Sequence, residues 1–454
     1  MDSPRMDRNP SPPPGRDDET GEEDDAIGDT VYSKHWLFST LTRLIQMVTN
    51  KDSDQGEGLT ELSEELEEEL CKVWDMAMDK DVAGFLQEFK TPDILLGVIA
   101  KSRNPRLTEI CVGILGNMAC FPDTRVFISQ NDELAAVLLL LLGDADPPTL
   151  LETCRLLLTC VSQPDVAPLW LQRILQETST CSNLCFIMRS STNVELLIKV
   201  GELVDKLFDE DEELMKSWLS GTPSETDQDK DTQRDVASAL LEAAVQLRKE
   251  SPKALEAYLH ALQLLTTVDE GLQNLVSEEG CGASVWKMVC EVVCEDLCQP
   301  DDPPVILQEQ KGLLAPALAL LSALHTNLKT NMSSASVASL LRILYFDHEI
   351  EHAQESGDEP TDGKAEKERD PQLQVLAEIA AELLSTLLTD LPMDDVSELL
   401  KMDHLTEKIW VAALNVLRPQ HNTSVLRFIS TLTNVKPELA DVIKKECSVV
   451  LESD

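Results

Sequence analysis

Two histidines and a glutamate at positions 348–352 are the residues of this sequence best suited to chemistry. His348, Glu349 and His352 match the pattern H-E-x-x-H, which in zinc peptidases places two imidazoles on one helix face, with the glutamate as general base. Such a site also needs a third ligand and a cleft that excludes water. The extended pattern H-x-x-G-x-x-H does not follow, and the motif runs into a charged segment. We therefore predict neither catalysis nor a functional metal site here. Adventitious binding of a divalent metal by the pair is favoured over catalysis, and a zinc-dependent hydrolase is kept as an alternative only.

Cysteines spaced four residues apart form a second candidate set. Cys290, Cys294 and Cys298 have this spacing, as do Cys181 and Cys185, so each group is predicted to share one helix face. Structural zinc sites take paired cysteines from two separate segments, and three thiols on one helix cannot complete a tetrahedron. Because free cysteine is among the most buried residue types, we predict that these thiols pack in the core.

Other motifs for catalysis or cofactor binding are not found in the sequence. Residues 357–365 resemble a phosphate-binding loop only loosely, since the glycine spacing is wrong and the Ser/Thr is missing. The chain has no G-x-S-x-G elbow and no dinucleotide-binding fingerprint. We therefore predict a protein that is not an enzyme and needs no cofactor.

The elements that carry these residues follow a helical repeat. Glu109, Glu152 and Glu195 are spaced 43 residues apart, and each precedes apolar residues on one helical face. A self-match at this period is typical of HEAT and armadillo arrays. Each unit ends in a helix too apolar to stand alone, so it must stack on its neighbours. The predicted fold is all-α, an armadillo/HEAT-like right-handed α-solenoid.

Composition separates the solenoid from its flanking segments. Residues 1–25 are Pro-rich and acidic and are predicted to be a disordered tail, in which Ser11 is a candidate phosphosite. A linker at 49–58 leads to the solenoid at 59–454. Acidic loops at about 209–234 and 351–370 interrupt it, and we interpret both as solvated spacers, with docking of basic partners as the alternative.

Residues 26–48 are predicted to form an amphipathic helix in front of the solenoid. Its apolar face includes Tyr32, Trp36 and Leu37. Solenoids need covered ends, so the simpler interpretation is a capping helix. The alternative is a detachable helix that docks in the groove of a partner, and in that case the same three residues make the contact.

The net charge of the chain limits the classes of molecule that it can bind. The 454 residues include 82 acidic and 38 basic side chains, for a formal net charge of -44. Such a surface repels nucleic acid and anionic membranes. No run of eighteen apolar residues and no signal-peptide core is visible, which predicts a protein that is neither inserted in a membrane nor secreted. We predict a monomer whose partners are other proteins with basic or extended segments.

Two stretches carry a resemblance to a known family. AIGDTVYSKHWLFSTLTRLIQMV, at 26–48, and ICVGILGNMACFPDTRVFIS, at 110–129, together resemble the serum-amyloid-A-like family of synoviocyte proliferation-associated proteins. The resemblance implies an armadillo-like protein without catalytic activity, located in the nucleus with the cytoplasm as a second site. It also implies that the protein promotes proliferation of synovial fibroblasts in response to pro-inflammatory stimuli.

The last helix of each repeat is predicted to line a concave surface that holds a segment of another protein. Candidate residues on this surface are Arg106, Glu109, Asn117, Glu152, Arg155 and Lys199. Armadillo proteins of nuclear transport line such grooves with Trp and Asn four residues apart, but none of the six Trp residues here has Asn at that spacing. Asn117 either contacts a partner or bonds to the neighbouring repeat. The leading prediction is a non-enzymatic scaffold or adaptor, and a nuclear-transport adaptor is the alternative.

Overall fold

Twenty-two α-helices make up the part of the chain that the computed structural model describes. The described ranges are 25–49, 62–220, 235–328, 330, 332–355, 370–389 and 391–446. Within these ranges the β pairing is a single bridge between Ala26 and Ser33. The all-α prediction is confirmed. The predicted tail and linker, apart from one end residue each, and residues 221–234 and 356–369 of the predicted acidic loops lie outside the described residues.

The first of two compact units, Met1–Ala239, contains three successive three-helix repeats. Its helices are α1 (Lys34–Thr49), α2 (Glu64–Met76), α3 (Lys80–Glu88), α4 (Thr91–Lys101), α5 (Pro105–Met118), α6 (Pro122–Ser129), α7 (Asp132–Leu140), α8 (Pro147–Val161), α9 (Ala167–Gln176), α10 (Ser179–Ser190), α11 (Val194–Glu210) and α12 (Glu212–Ser220). The third helices α5, α8 and α11 pack side by side in a row, and α2 precedes α5 in it. This row is the armadillo-like stacking that the repeat period predicts.

The third helices begin with the same kind of N-cap. The side chains of Asn104, Asp146 and Asn193 accept hydrogen bonds from the backbone amide three residues on, at 3.2, 3.0 and 3.0 Å. These bonds satisfy amides that have no partner inside the helix. Pro105 and Pro147 follow two of the caps, at a position where proline's fixed φ suits the helix and its missing amide is not needed. The helix starts are therefore encoded locally.

The acidic segment 209–234, predicted to be a loop, is helical in its first part. Residues up to Glu210 belong to α11, and the next residues form α12. The apolar side chains Leu214, Met215 and Trp218 of α12 are buried, while Glu212 and Glu213 occupy its first turn. Carboxylates in the first turn of a helix are favourable because they face unpaired backbone amides. The loop prediction was wrong here because charge was given more weight than this short apolar face.

The second unit, Leu240–Asp454, is a further stack of helices. After α13 (Val236–Glu250), which begins just before the boundary, come α14 (Leu255–Leu265), α15 (Asp269–Val276), α16 (Gly282–Glu291), α17 (Ile306–Leu328), α18 (Ser334–Glu355), α19 (Pro371–Thr389), α20 (Met393–Leu399), α21 (Glu407–Val435) and α22 (Pro437–Glu446). Helices α14, α17, α19 and α21 pack in a row, and α18 contacts both α19 and α21. Helix α21 contains Pro419 and bends at His421. The bend follows from proline, which disrupts a helix interior.

A membrane-spanning helix was not expected from the sequence. In the described ranges, no single helix has the length and apolar composition to cross a membrane. Helix α6 and the segment Asp132–Gly143 meet that criterion only when taken together, and they are joined at a bend of 83°.

Helix α1 packs against α2 and α4 in the first unit. Leu37, Leu41 and Leu44 are buried in this contact, and Arg43 forms an ion pair with Glu69 of α2, with 2.6 Å between nitrogen and oxygen. The helix starts at residue 34, so the first eight residues of the stretch 26–48 are not helical, and Ser33 caps it: its hydroxyl accepts a hydrogen bond of 3.1 Å from the amide of Trp36. Residues 26–33 form a turn instead, closed by a hydrogen bond of 3.0 Å from the amide of residue 27 to the carbonyl of residue 32.

Gly28 lets this turn approach α3 closely. Its φ is +55°, and a Cβ added to it would lie 2.1 Å from Oδ2 of Asp81. The amide of Asp29 donates to the same oxygen at 3.2 Å. Only glycine adopts this backbone conformation without strain. The contact therefore ties the start of α1 to the repeats.

We expect Gly28→Ala to loosen this attachment, because the left-handed φ and the contact with Asp81 together cost about 1–3 kcal/mol. Hydrogen-exchange mass spectrometry should show faster exchange in α1, with little change in α5. The matched control is Gly84→Ala, since nothing lies within 4 Å of a Cβ built on Gly84. Unchanged exchange of α1 in Gly28→Ala would contradict this role of the turn.

Candidate protein-binding surface

The third-helix surface, formed by α2, α5, α8 and α11, is crossed by ion pairs. Arg106 of α5 contacts Glu67 of α2 at 2.7 Å and Glu109 of its own helix at 2.8 Å. The hydrogen bonds that Arg106 donates to Glu109 and Glu67 raise the pKa of Arg106 above its ordinary value. Its third contact is the Sγ atom of Cys71, at 3.4 Å. The structure thus brings together the predicted residues Arg106 and Glu109, and adds Glu67, which the sequence analysis had not selected.

Asn117 lies between the repeats and is only 6% exposed. Its Nδ2 donates to the carbonyl oxygen of Trp74 at 2.7 Å, and its Oδ1 accepts from Nη1 of Arg155 at 2.9 Å. The Trp74 carbonyl needs this donor because the amide of Met78, four residues on, bonds to Asp75 instead. Of the two roles that the sequence had left open for Asn117, the structure shows the bond between repeats.

Arg155 of α8 completes this bridge between helices. Besides Asn117, it contacts Glu152 at 2.6 Å and donates to the backbone carbonyl of Gly113 at 3.2 Å. A Cβ on Gly116 would lie 3.0 Å from Nη2 of Arg155, so a small residue there lets the guanidinium cross α5. The predicted residues Glu152 and Arg155 are thus a pair, and Arg155 also stabilises the stacking.

Trp74 of α2 is the main surface residue that the sequence analysis missed. Its indole lies directly over Gly113, where an added Cβ would be 2.1 Å from Cε2 of the ring. The residue is half-buried. Trp74 precedes Asn117 by one full period of 43 residues. Counting back one 43-residue period from Asn117 identifies Trp74. The Trp–Asn pattern of nuclear-transport proteins does not, because it requires Trp four residues before Asn.

The other candidates lie farther along the row or on α1. Lys199 of α11 forms an ion pair with Glu202 one turn away. Tyr32 and Trp36 are half-buried where α1 begins. Leu37 is fully buried, so it is corrected from a surface candidate to a packing residue of the docked α1.

Carboxylates outnumber cations in several ion-pair clusters of this unit. Clusters with two carboxylates around one cation are centred on Arg43, Arg106, Lys206 and Lys216. The pairs of Arg155 and Lys199 have one carboxylate each. Because one cation neutralises one carboxylate, the clusters keep a net negative charge, which attracts basic groups.

The H-E-x-x-H motif lies on α18 of the second unit. Glu349 is engaged in an ion pair with Lys408, with 3.0 Å between nitrogen and oxygen. The Nε2 atoms of His348 and His352 lie 3.0 Å apart. Over the described ranges, no group of three or more His, Cys, Asp or Glu side chains is placed to hold a metal ion. The arrangement therefore provides neither the third ligand nor the unpaired base that a zinc hydrolase requires.

The cysteines 290, 294 and 298 do not share one α-helical face as predicted. Helix α16 ends after Cys290, Val292–Asp296 form a π turn, and Cys298 follows with a φ of +46°. The amide and thiol of Cys298 both donate to Oε1 of Gln310, at 2.9 and 3.3 Å. Burial raises the pKa of Cys298 to about 12 and that of Cys290 to about 11, so both thiols are protonated at neutral pH. Cys298, Cys181 and Cys185 are buried, as the packing prediction requires, whereas Cys290 and Cys294 are only half-buried.

Comparisons with known proteins show what the chain is similar to. A family described as the SAAL1 C-terminal domain matches residues 180–425. Protein saal1 of Danio rerio is 64% identical and aligns over 98% of this chain and 95% of its own length. Protein saal1 of Xenopus tropicalis is 48% identical over 98% and 100%, and Protein SAAL1 of Mus musculus is 54% identical over 71% of each chain. Among solved structures, a designed armadillo repeat protein is 15% identical, with a TM-score of 0.41, over 63% of this chain and 99% of that one.

Proposed function

The chain belongs to the SAAL1 family, and from that premise we propose that it is a non-enzymatic scaffold or adaptor that binds another protein on its third-helix surface. The partner segment is basic and extended. It lies across α2, α5 and α8, where it contacts the Trp74 ring and the carboxylates beside it. A Lys or Arg side chain placed over the indole would gain a cation–π interaction as well as the charge attraction.

The observation that carries this proposal is the excess of carboxylates around the cations of the surface. At Arg106, two carboxylates lie within 2.8 Å of a single guanidinium. An acidic partner would find these cations already paired, whereas a basic one would meet unneutralised charge. A nuclear-transport adaptor receives less support, because both polar atoms of Asn117 are bonded within the protein.

The cellular setting is proposed from the family resemblance alone. We propose that the protein acts in the nucleus, with the cytoplasm as a second location, and promotes proliferation of synovial fibroblasts under pro-inflammatory stimuli. Fractionation and imaging of the full-length protein in stimulated and resting synovial fibroblasts test the location. Growth of these cells after depletion of the protein, with and without re-expression, tests the role. Equal growth in both conditions would reject the role.

We expect Glu67→Gln combined with Glu109→Gln to weaken partner binding about tenfold, because loss of two carboxylates removes on the order of 1.4 kcal/mol of attraction. Affinity capture with quantitative mass spectrometry measures this for the full-length chain, at low and high salt. Arg106 keeps 41% of its side chain exposed, so it stays hydrated when its carboxylates become neutral.

The matched control is Glu88→Gln combined with Glu133→Gln, which removes the same charge from exposed positions on α3 and α7. Partners retained by this control but lost from the first variant identify the third-helix surface as the contact. Equal loss in both variants would mean that total charge, rather than this surface, governs binding. Partners that bind all variants equally would contradict the proposal.

A further inference from the structure

The two histidines of α18 have the geometry of a chelate. His348 and His352 are one turn apart, their ring centroids are 4.2 Å apart, and their Nε2 atoms share a hydrogen bond of 3.0 Å, whose proton a metal ion would replace. A metal ion with Zn–N-like bonds of about 2.0–2.1 Å and cis ligands near a right angle separates two nitrogens by about 2.9 Å. The observed spacing fits two adjacent positions of a square-planar or octahedral ion.

Carboxylates lie beside the pair. A neutral imidazole nitrogen is the form that binds metals. Asp347, Glu349 and Glu351 lie near enough to act electrostatically on His348, and their charge favours a cation. Nδ1 of His348 is buried, which leaves Nε2 as its coordinating atom.

The helix that carries the pair is held in place by its neighbours. Helix α18 packs against α19 and α21. Lys408 of α21 contacts both Glu349, at 3.0 Å, and the hydroxyl of Tyr345, at 3.3 Å, on α18. Ligands on a supported helix keep their spacing better than ligands on a loop. The pair is therefore arranged before any ion arrives.

We propose that His348 and His352 form a bidentate site for a divalent transition-metal ion such as Ni²⁺ or Cu²⁺. Water or a ligand from a bound partner fills the remaining positions. The site is not catalytic, since Glu349 is paired with Lys408. The sequence analysis ranked adventitious binding of a divalent metal by this pair above catalysis but predicted no metal site, and the chelate geometry is what the structure adds. The proposal is independent of the protein-binding function above.

Isothermal titration of the full-length protein with Ni²⁺ is expected to show one ion bound per chain. His348→Asn and His352→Asn should each weaken binding about 100-fold, because the second nitrogen binds intramolecularly. The sharper control combines His352→Asn with Ala353→His. It keeps both imidazoles but turns the second about 100° around the helix, and it should bind as weakly as the single variants.

Electron paramagnetic resonance of one equivalent of Cu²⁺ gives a second readout on the unmodified chain. Two imidazole nitrogens bound to Cu²⁺ are expected in the wild type and one in each single variant. The proposal is overturned if His352→Asn binds Ni²⁺ like the wild type, if the shifted histidine preserves affinity, or if the wild-type spectrum shows fewer than two nitrogens.

Discussion

Gly113→Val is expected to lower the free energy of unfolding of the first unit by about 3 kcal/mol. The reason is the indole of Trp74, which occupies the position that any Cβ at Gly113 would take, at 2.1–2.6 Å. The ring must leave its place over α5, or the helices α2 and α5 must separate. Either change disturbs the first contact of the third-helix row.

Hydrogen-exchange mass spectrometry under native conditions measures the effect, because it reports opening of α2 and α5 separately from the second unit. Gly97→Val is the matched control: it lies in α4, and nothing is found within 4 Å of its Cβ position. Its stability should change by less than about 0.5 kcal/mol. Trp74→Leu should reduce the loss of stability that Gly113→Val causes, because the smaller side chain leaves room for the valine. If the changes in the free energy of unfolding were strictly additive in the double variant, a direct clash between the two residues would be ruled out.

Asn117→Leu is expected to cost about 3 kcal/mol, because two polar groups lose their partner while the number and branching of the side-chain heavy atoms are kept. The carbonyl of Trp74 would be left without a donor at the end of α2. Arg155 would lose its acceptor at 2.9 Å but keep Glu152. Most of the cost therefore falls on the Trp74 carbonyl.

Urea unfolding followed by circular dichroism, together with exchange at α2 and α5, measures this change. Asn131→Ala serves for comparison: Asn131 caps α7 by accepting a hydrogen bond of 3.0 Å from the amide of Leu134, and it donates an exposed bond of 3.0 Å to Asp93. Loss of this side chain should cost about 1 kcal/mol. If Asn117→Leu were as stable as the wild type but failed to capture partners, Asn117 would be a contact residue after all, and its assignment between the repeats would be wrong.

Both predictions concern the same contact between α2 and α5, called the seam below. Gly113 and Asn117 are one turn apart on α5, and both meet Trp74, through its ring and its carbonyl respectively. Damage to the seam would also move Glu67 relative to Arg106. The surface proposed to bind a partner therefore depends on these buried contacts, and partner binding should fall together with the stability of the seam.

What the sequence determined by itself is the local part of the structure. The 43-residue period predicted the row of third helices, and Asn104 with Pro105 marked where one of them begins. Caps and helical periodicity depend on residues a few positions apart, so they can be read from the chain directly. The acidic composition likewise indicated the charge of the surface.

Only the tertiary structure decided which side chains meet across helices. The contact of Trp74 with Gly113, the enclosure of Asn117 and the pairing of Arg106 with Glu67 join residues from different helices. Such contacts depend on the rotation and spacing of each packed helix, which periodicity alone does not specify. The π turn that separates Cys290 from Cys298 could not be predicted from the sequence for the same reason. One extra residue in a turn leaves the apolar pattern almost unchanged, but it redirects the side chains that follow.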